Sequence, residues 1–345
     1  MHRVPRASLI LAALTLALGL VAALAGPARA AETLNAYSIW PENWARPMFE
    51  EFEKATGITV NFVRFSSGEA LARVIAEKGN PRVDVLFGGP VETHAAGIKE
   101  GIFEAYKPPA FARLPARFRH PDGQWVAIAD DPLVFMSNTK FLKESNLRPP
   151  ASWDDLLDPA YKNMLQMADA RTSGTAVTRI FSILEVNGRD ETKAFDYMKK
   201  KRRNVQVYTK SGGGGTLAVG LGQAGAGIFF IVDALDTKAK GYDVTISFPK
   251  EGIGTSAEAI ALLKGAKNPA LGKKLIDWAT SPAMQSLYAK HKINFVPAHP
   301  DVAVEPGLAE VLRGAKIFPI DDAYAGANRK RIVERWVNEV LNLKE

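Results

Sequence analysis

Three strand-and-helix pairs in immediate succession constrain this chain more than any other feature of it. Residues 34–40 form a β-type run, and 44–56 carry a helical apolar pattern that Gly57 closes. Residues 59–65 and 68–78 repeat the pair. Residues 83–87 begin a third, closed by Gly88-Gly89-Pro90 and followed by a helix over 91–100 that Gly101 ends. Strands that return parallel to one another need a crossover, and a helix is the usual one. The pattern predicts an α/β fold, a mostly parallel sheet with helices on its faces.

Further along, 125–138 is one long extended run with the polar break Asp130-Asp131-Pro132 inside it, as expected of a segment that crosses between two lobes. Strands are expected at 164–170, 205–208, 227–232, 244–248 and 257–263. Helices are expected at 175–186, 191–201, 234–240 and 268–291, the last broken near Ser281-Pro282, with a terminal helix over 327–343. Crossings near 131 and 249 divide the chain into a first lobe, 31–131 with 249–345, and a second, 132–248.

The first thirty residues stand apart. Arg3 and Arg6 precede an apolar stretch from Leu9 to about Ala25, and small residues at Ala28 and Ala30 follow. This reads as a secretory signal peptide, 1–30, cut after Ala30. The apolar run falls just short of the ~20 residues of a membrane span. The sequence has no cysteine, which excludes disulfides, thiolate chemistry and a lipid-modified N-terminal cysteine. An exported, untethered protein is retained only behind an outer membrane, so a Gram-negative periplasm is expected. Without Arg3, Arg6 and Arg29 the chain holds 41 basic and 37 acidic residues. An excess of +4 suits an anionic ligand but is too small and too scattered for nucleic acid.

In open α/β sheets ligands sit beyond the carboxyl ends of strands. The loops there offer Ser38, Ser66-Ser67-Gly68, Gly89, Asp131, Arg171 with Thr172-Ser173-Gly174-Thr175, Ser211-Gly212 and Asp233. Two of them share a chemistry, with hydroxyls and a glycine at a helix start. Such ends present unpaired N–H groups and a positive dipole end, and glycine lets the backbone approach an anion. A phosphate, phosphonate or carboxylate is the natural guest. Each loop alone reads equally as an ordinary cap; one in each lobe favours ligand contact. Ser211 is either a third such loop or a flexible turn. Asp131 and Asp233 can receive an ammonium group, or brace the hinge and start a helix. Trp40 and Trp44 can pack on a ligand or in the core.

The stretch SSGEALARVIAEKGNPRVDVLFGGPVETHAAGIKEG at 66–101 is followed in order by TSGT at 172–175, AGIFFI at 226–231, FPKEG at 248–252 and NPALGKKLIDWATSPAMQ at 268–285. Together these resemble the extracellular solute-binding proteins of ABC importers, in the subgroup of ferric-iron, thiamine, putrescine-like and 2-aminoethylphosphonate binders. The resemblance covers essentially the whole chain after the signal. It implies the two-lobe, type II periplasmic binding protein fold with two crossover hinge strands. It implies a monomer that closes on a small anionic solute and delivers it to an inner-membrane permease, with no cofactor and no resident metal. It also implies that Ser173, Gly174 and Thr175 hold the anionic head, with Ser38, Ser67 and Ser211 adding to it. Ferric binders of this kind use an adjacent tyrosine pair, and no Tyr-Tyr occurs here. The expected ligand is a phosphonate or phosphate ester such as 2-aminoethylphosphonate, with ferric iron and thiamine or its phosphates as alternatives.

Two enzymatic patterns compete. Ser137-Asn138-Thr139-Lys140 matches the S-x-x-K of penicillin-interacting serine enzymes, yet Ser137 falls at a strand end rather than a helix start. Gly213, Gly215 and Ala218, with Asp233 beyond, match a dinucleotide fingerprint, yet Gly220 and Gly222 interrupt the helix it needs. His94, His120, His291 and His299 form no H-E-x-x-H, so metal hydrolysis has no support.

Overall fold

The computed structural model describes residues 32–343, so the signal-peptide expectation lies outside the described residues. Twelve strands join in one sheet: β1 Glu32–Ser38, β2 Ile58–Arg64, β3 Val85–Pro90, β4 Phe103–Glu104, β5 Val126–Asn138, β6 Leu165–Ala168, β7 Val205–Thr209, β8 Ala226–Phe230, β9 Val244–Ser247, β10 Ile253–Leu263, β11 Val296–Pro297 and β12 Ile317–Pro319. The main path runs β2-β1-β3-β10-β5-β8-β6-β7.

The sheet has two halves of different parentage. In the first, β1 and β3 run parallel, with Ala36 opposite Val85. In the second, β6 runs parallel to both β7 and β8. The two long strands β5 and β10 join the halves and are antiparallel, Ser256 opposite Asp131. Every residue of β3, β5, β8 and β10 is buried, as expected of strands covered on both faces. Within β5 the partner changes between Pro132, which pairs with β10, and Leu133, which pairs with β8. The polar break in the sequence therefore falls where one strand passes from one half-sheet to the other. This is the type II periplasmic binding protein fold.

Local chemistry sets the helices that matter. Ser66 and Glu69 form a capping box that starts the helix Ser67–Ala76, two orphan donors being satisfied reciprocally. Ser173 caps the helix Gly174–Val186. Gly57 ends the helix Glu42–Thr56 in the left-handed region, at φ 70°, where a side chain is disfavoured. The terminal helix, Asp322–Trp336, begins five residues earlier than the sequence suggested. It touches both halves: Gly326 lies against Ala95, while Arg331 and Arg335 pair with Glu191 at 2.6 and 2.8 Å.

Candidate functional site

Loops at the carboxyl ends of strands from both halves, with the middle of β5, converge on a cavity with about 450 Å3 of open space. Ser66 and Ser67 reach it from β2, Asp131 from β5, Ser173, Gly174 and Thr175 from β6, Gly212 from β7 and Asp233 from β8. All eight were expected from the sequence.

The two hydroxyl-glycine loops meet there. The N–H of Gly68 donates to the carbonyl of Thr172 at 2.8 Å. A Cβ at Gly68 would collide with the Arg171 carbonyl, and one at Gly174 would sit 2.5 Å from Ser67 Oγ. Glycine at both positions is what lets two helix N-termini come this close. Gly212 packs on Thr175 just as tightly. Across the seam Lys210 pairs with Glu69 at 2.7 Å.

Three expected residues stand off the cavity wall. Ser38 is fully buried and donates to the Trp40 carbonyl at 3.0 Å, so it shapes the turn after β1. Gly89, at φ +85°, donates its N–H to Glu258 Oε2 at 2.6 Å and supports the site from behind. The carbonyl of Ser211 accepts from Thr209 Oγ1 at 2.9 Å, and Ser211 leads into the 3-10 turn Gly212–Gly215. Arg171 is held by Asp169 at 2.6 Å on the surface.

Trp40 and Trp44, weighed in the sequence between ligand and core, line the cavity, as do Arg64, Glu258 and Phe295, which were not singled out. Arg64, at the end of β2, hydrogen-bonds Ser66 Oγ at 3.2 Å and brings a cation to the hydroxyl loop. Its signal was in view, two residues before that loop. Glu258 lies inside the apolar run of β10, and a lone acid in a fully buried strand was its sequence mark. Trp40, Trp44 and Phe295 supply an aromatic wall, Trp40 stacked on Phe295 with ring centroids 4.5 Å apart.

The electrostatics are uneven. Burial pushes Asp233 up to about 7 and Glu258 up to about 8, and Asp131 rises well above the usual carboxylate range. Burial is the main cause in each case. Mutual repulsion adds to it, since Glu258 and Asp233 both raise Asp131. The neighbouring Asp130 points elsewhere, bound to Arg117 at 2.9 Å and Thr255 at 2.8 Å. The cavity thus brings the donors of two helix starts and Arg64 together with three acids and an aromatic wall, and Arg64 acts electrostatically on Asp233.

The enzymatic patterns do not assemble. Ser137 is buried within β5, whereas Lys140 is exposed beside Glu144. The helix after the glycine run, Thr216–Gly220, is five residues long, too short for a dinucleotide-binding crossover. Among the described residues no group of three or more His, Asp or Glu side chains could hold a metal ion.

The model of the bacterial extracellular solute-binding protein family matches residues 47–311. The chain belongs to that family. This solute-binding protein is 31% identical to an uncharacterized protein of Haemophilus influenzae, over 96% of this chain and 97% of the relative. It is 28% identical to a Salmonella paratyphi A periplasmic protein named for binding 2-aminoethylphosphonate, over 78% of this chain and 80% of that one. Its structure superposes on the periplasmic binding protein AfuA of Actinobacillus pleuropneumoniae, determined with fructose-6-phosphate bound. The TM-score is 0.86 and the identity 29%, covering 91% of this chain and all of that one. The solute-binding protein is therefore the substrate-binding component of an ABC importer, and not an enzyme. No helix among the described residues is long and apolar enough to cross a membrane.

Proposed function

We propose that the protein is exported through its first thirty residues, acts as a monomer in the periplasm, and carries a small phosphonate or phosphate ester to an inner-membrane permease. The observation that carries this reading is the meeting of two hydroxyl-bearing helix starts and Arg64 on one cavity. Each N-terminus contributes a positive dipole end and the backbone N–H groups that no cap or cross-loop bond has taken. Hydrogen bonds to a charged oxygen contribute about 1.5–3 kcal/mol each, so a handful supports micromolar binding. The names of the relatives, for 2-aminoethylphosphonate in one case and with a bound sugar phosphate in the other, agree with an oxyanion head. Iron is disfavoured because no tyrosine is among the residues lining the cavity.

Closure fits the sheet. The partner change in β5, and the 248–252 link between β9 and β10, are natural pivots for lobes bounded near 131 and 249. The deciding experiment is a thermal-shift panel of phosphonates, phosphate esters, carboxylates, thiamine, thiamine phosphate and ferric citrate. A true ligand at 100 times its Kd stabilises the fold by about 2.7 kcal/mol. Phosphonates or phosphate esters are expected to shift the melting point. A shift with ferric citrate alone, or with thiamine but not its phosphate, would reject the oxyanion reading.

A further inference from the structure

A second charged cluster lies behind the cavity, on the seam between the two halves. Glu92, in the helix Val91–Lys99 that follows β3, is buried. Its carboxylate accepts from Thr178 Oγ1 at 2.9 Å and from Ser256 Oγ. Thr178 stands one turn along the helix Gly174–Val186, whose start lines the cavity, and Ser256 stands on β10 opposite Asp131. One carboxylate thus ties together a first-half helix, a second-half helix and a crossing strand. One turn further on, Ser182 Oγ accepts from the Gly254 N–H at 2.6 Å, where the same second-half helix meets β10.

Arg329, on the helix Asp322–Trp336, belongs to this cluster and is left unsatisfied in it. Its Nε and Nη2 are buried and make no hydrogen bond. Glu92 acts on it through space, with no bond between them. Buried donors are nearly always paired, and an orphaned charged one is costly. The helix that carries Arg329 is anchored to the second half. Arg331 and Arg335 pair with Glu191, Asp321 pairs with Arg189 at 3.0 Å, and the Trp336 ring meets Tyr208 edge-on at 5.1 Å. Against the first half it presents a smooth seam, where a Cβ on Gly326 would sit 2.6 Å from that of Ala95. A bond across that seam, from Lys99 Nζ to the Ala327 carbonyl at 3.0 Å, is exposed.

We propose that Glu92 is a two-position switch: it holds Thr178 and Ser256 while the halves are closed, and takes the Arg329 guanidinium when they part. The inference rests on the closure reading above. Glu92, Thr178 and Arg329 are positioning residues, since none of them lines the cavity. On opening, the helices Gly174–Val186 and Asp322–Trp336 travel with the second half past the helix Val91–Lys99. Displacement grows with distance from the pivot. The bond from Gly254 to Ser182, beside the crossing, is therefore kept, while Thr178, one turn nearer the cavity, leaves Glu92. The freed carboxylate then forms a charge-assisted pair with Arg329. The unpaired guanidinium is the strain of the closed form, which bound solute opposes, and its removal enlarges the binding-competent fraction.

The chain has no cysteine, so two introduced thiols can be labelled cleanly. Val63→Cys and Leu217→Cys are exposed sites, one in each half, close in sequence to Arg64 and Gly213 of the cavity wall. Spin labels there report the opening of the halves. Arg329→Met and Glu92→Gln each remove the pair that favours the open form. Without ligand, each should raise the short-distance fraction about threefold or more. Calorimetry with 2-aminoethylphosphonate and glucose 6-phosphate as probes should show affinity improved about threefold to tenfold. Combining the two changes should add little to either alone. Thr178→Val should act in the opposite sense, weakening the same probe about fivefold or more, and Thr178→Ser, which keeps the hydroxyl, should bind as wild type does. Should Arg329→Met not fold, Glu92→Gln carries the same expectation. Weaker binding in Arg329→Met, Glu92→Gln and Thr178→Val alike would mean a structural contact only and overturn the switch. So would ligand-free distances unchanged by Arg329→Met and Glu92→Gln. If neither probe binds any of the proteins, the oxyanion reading falls, and the ligand-free distances decide the switch by the same criterion.

Discussion

The backbone N–H of Gly68 donates to the carbonyl oxygen of Thr172 at 2.8 Å. The loop that opens one cavity-lining helix is thereby bonded to the loop that opens the other, one from each half of the sheet. No side chain takes part, so the contact depends on glycine at 68, where a Cβ would strike the Arg171 carbonyl. Gly68→Ala should disfavour the closed form. Losing one such bond and the close approach amounts to about 1–3 kcal/mol, or about tenfold to a hundredfold in ligand affinity. Calorimetry gives the affinity, and small-angle scattering of the liganded variant should report a larger radius than wild type.

Ser173 and Thr175 carry the second-half share of the head contact. Ser173 Oγ accepts only a long cap bond, 3.4 Å from the Ala176 N–H, so its loss costs the helix about 0.5–1 kcal/mol. Ser173→Ala with Thr175→Val should therefore keep the fold. Binding of the anion should weaken about tenfold or more, which the same titration reads. Unchanged affinity would reduce the loop to a helix cap.

How much of this was legible beforehand follows from what each feature depends on. The βα order, the long crossing strand β5 and the hydroxyl-glycine loops are local patterns, and the structure has them. Ser66, Ser67, Ser173, Gly174 and Thr175 reach the cavity because strand ends in such sheets point to one edge. Glu258 carried a local mark, a lone acid in an apolar run, but its place at the site comes from β10 lying between β3 and β5, a long-range pairing that no local pattern encodes. Ser38 went the other way, since its hydroxyl closes on the Trp40 carbonyl two residues on. Phe295 and the late segments reach the first half only through tertiary contact.

Lys201 brings a buried amine into the core with no hydrogen-bond partner. Its Nζ is buried, lies 4.8 Å from the Tyr197 ring centroid and 5.7 Å from that of Trp153, and makes no hydrogen bond. Burial first, then the Arg179 guanidinium, hold its pKa well below the usual lysine value. The unfolded chain holds a proton there more tightly than the native state does, so stability rises with pH between the native and the ordinary lysine pKa. Lys201→Met keeps the packing and removes the amine. It should stabilise the protein by about 1–3 kcal/mol at pH 7. Urea unfolding between pH 7 and 9 should show a flatter slope in the variant than in wild type.

Glu258 gives the opposite pH signature. Its carboxyl titrates near 8 in the folded protein against 4.5 for the free side chain, so folding favours the protonated acid. That stability is complete below pH 4.5 and is lost as pH rises through 8. Asp233, raised to about 7, adds a loss in the same direction. Glu258→Gln preserves an oxygen for the Trp40 Nε1 and Gly89 donors while removing the titration. Wild type without ligand should lose stability between pH 5 and pH 8 in urea unfolding, and the variant should lose less. An identical slope in the two proteins would place the titrating group elsewhere.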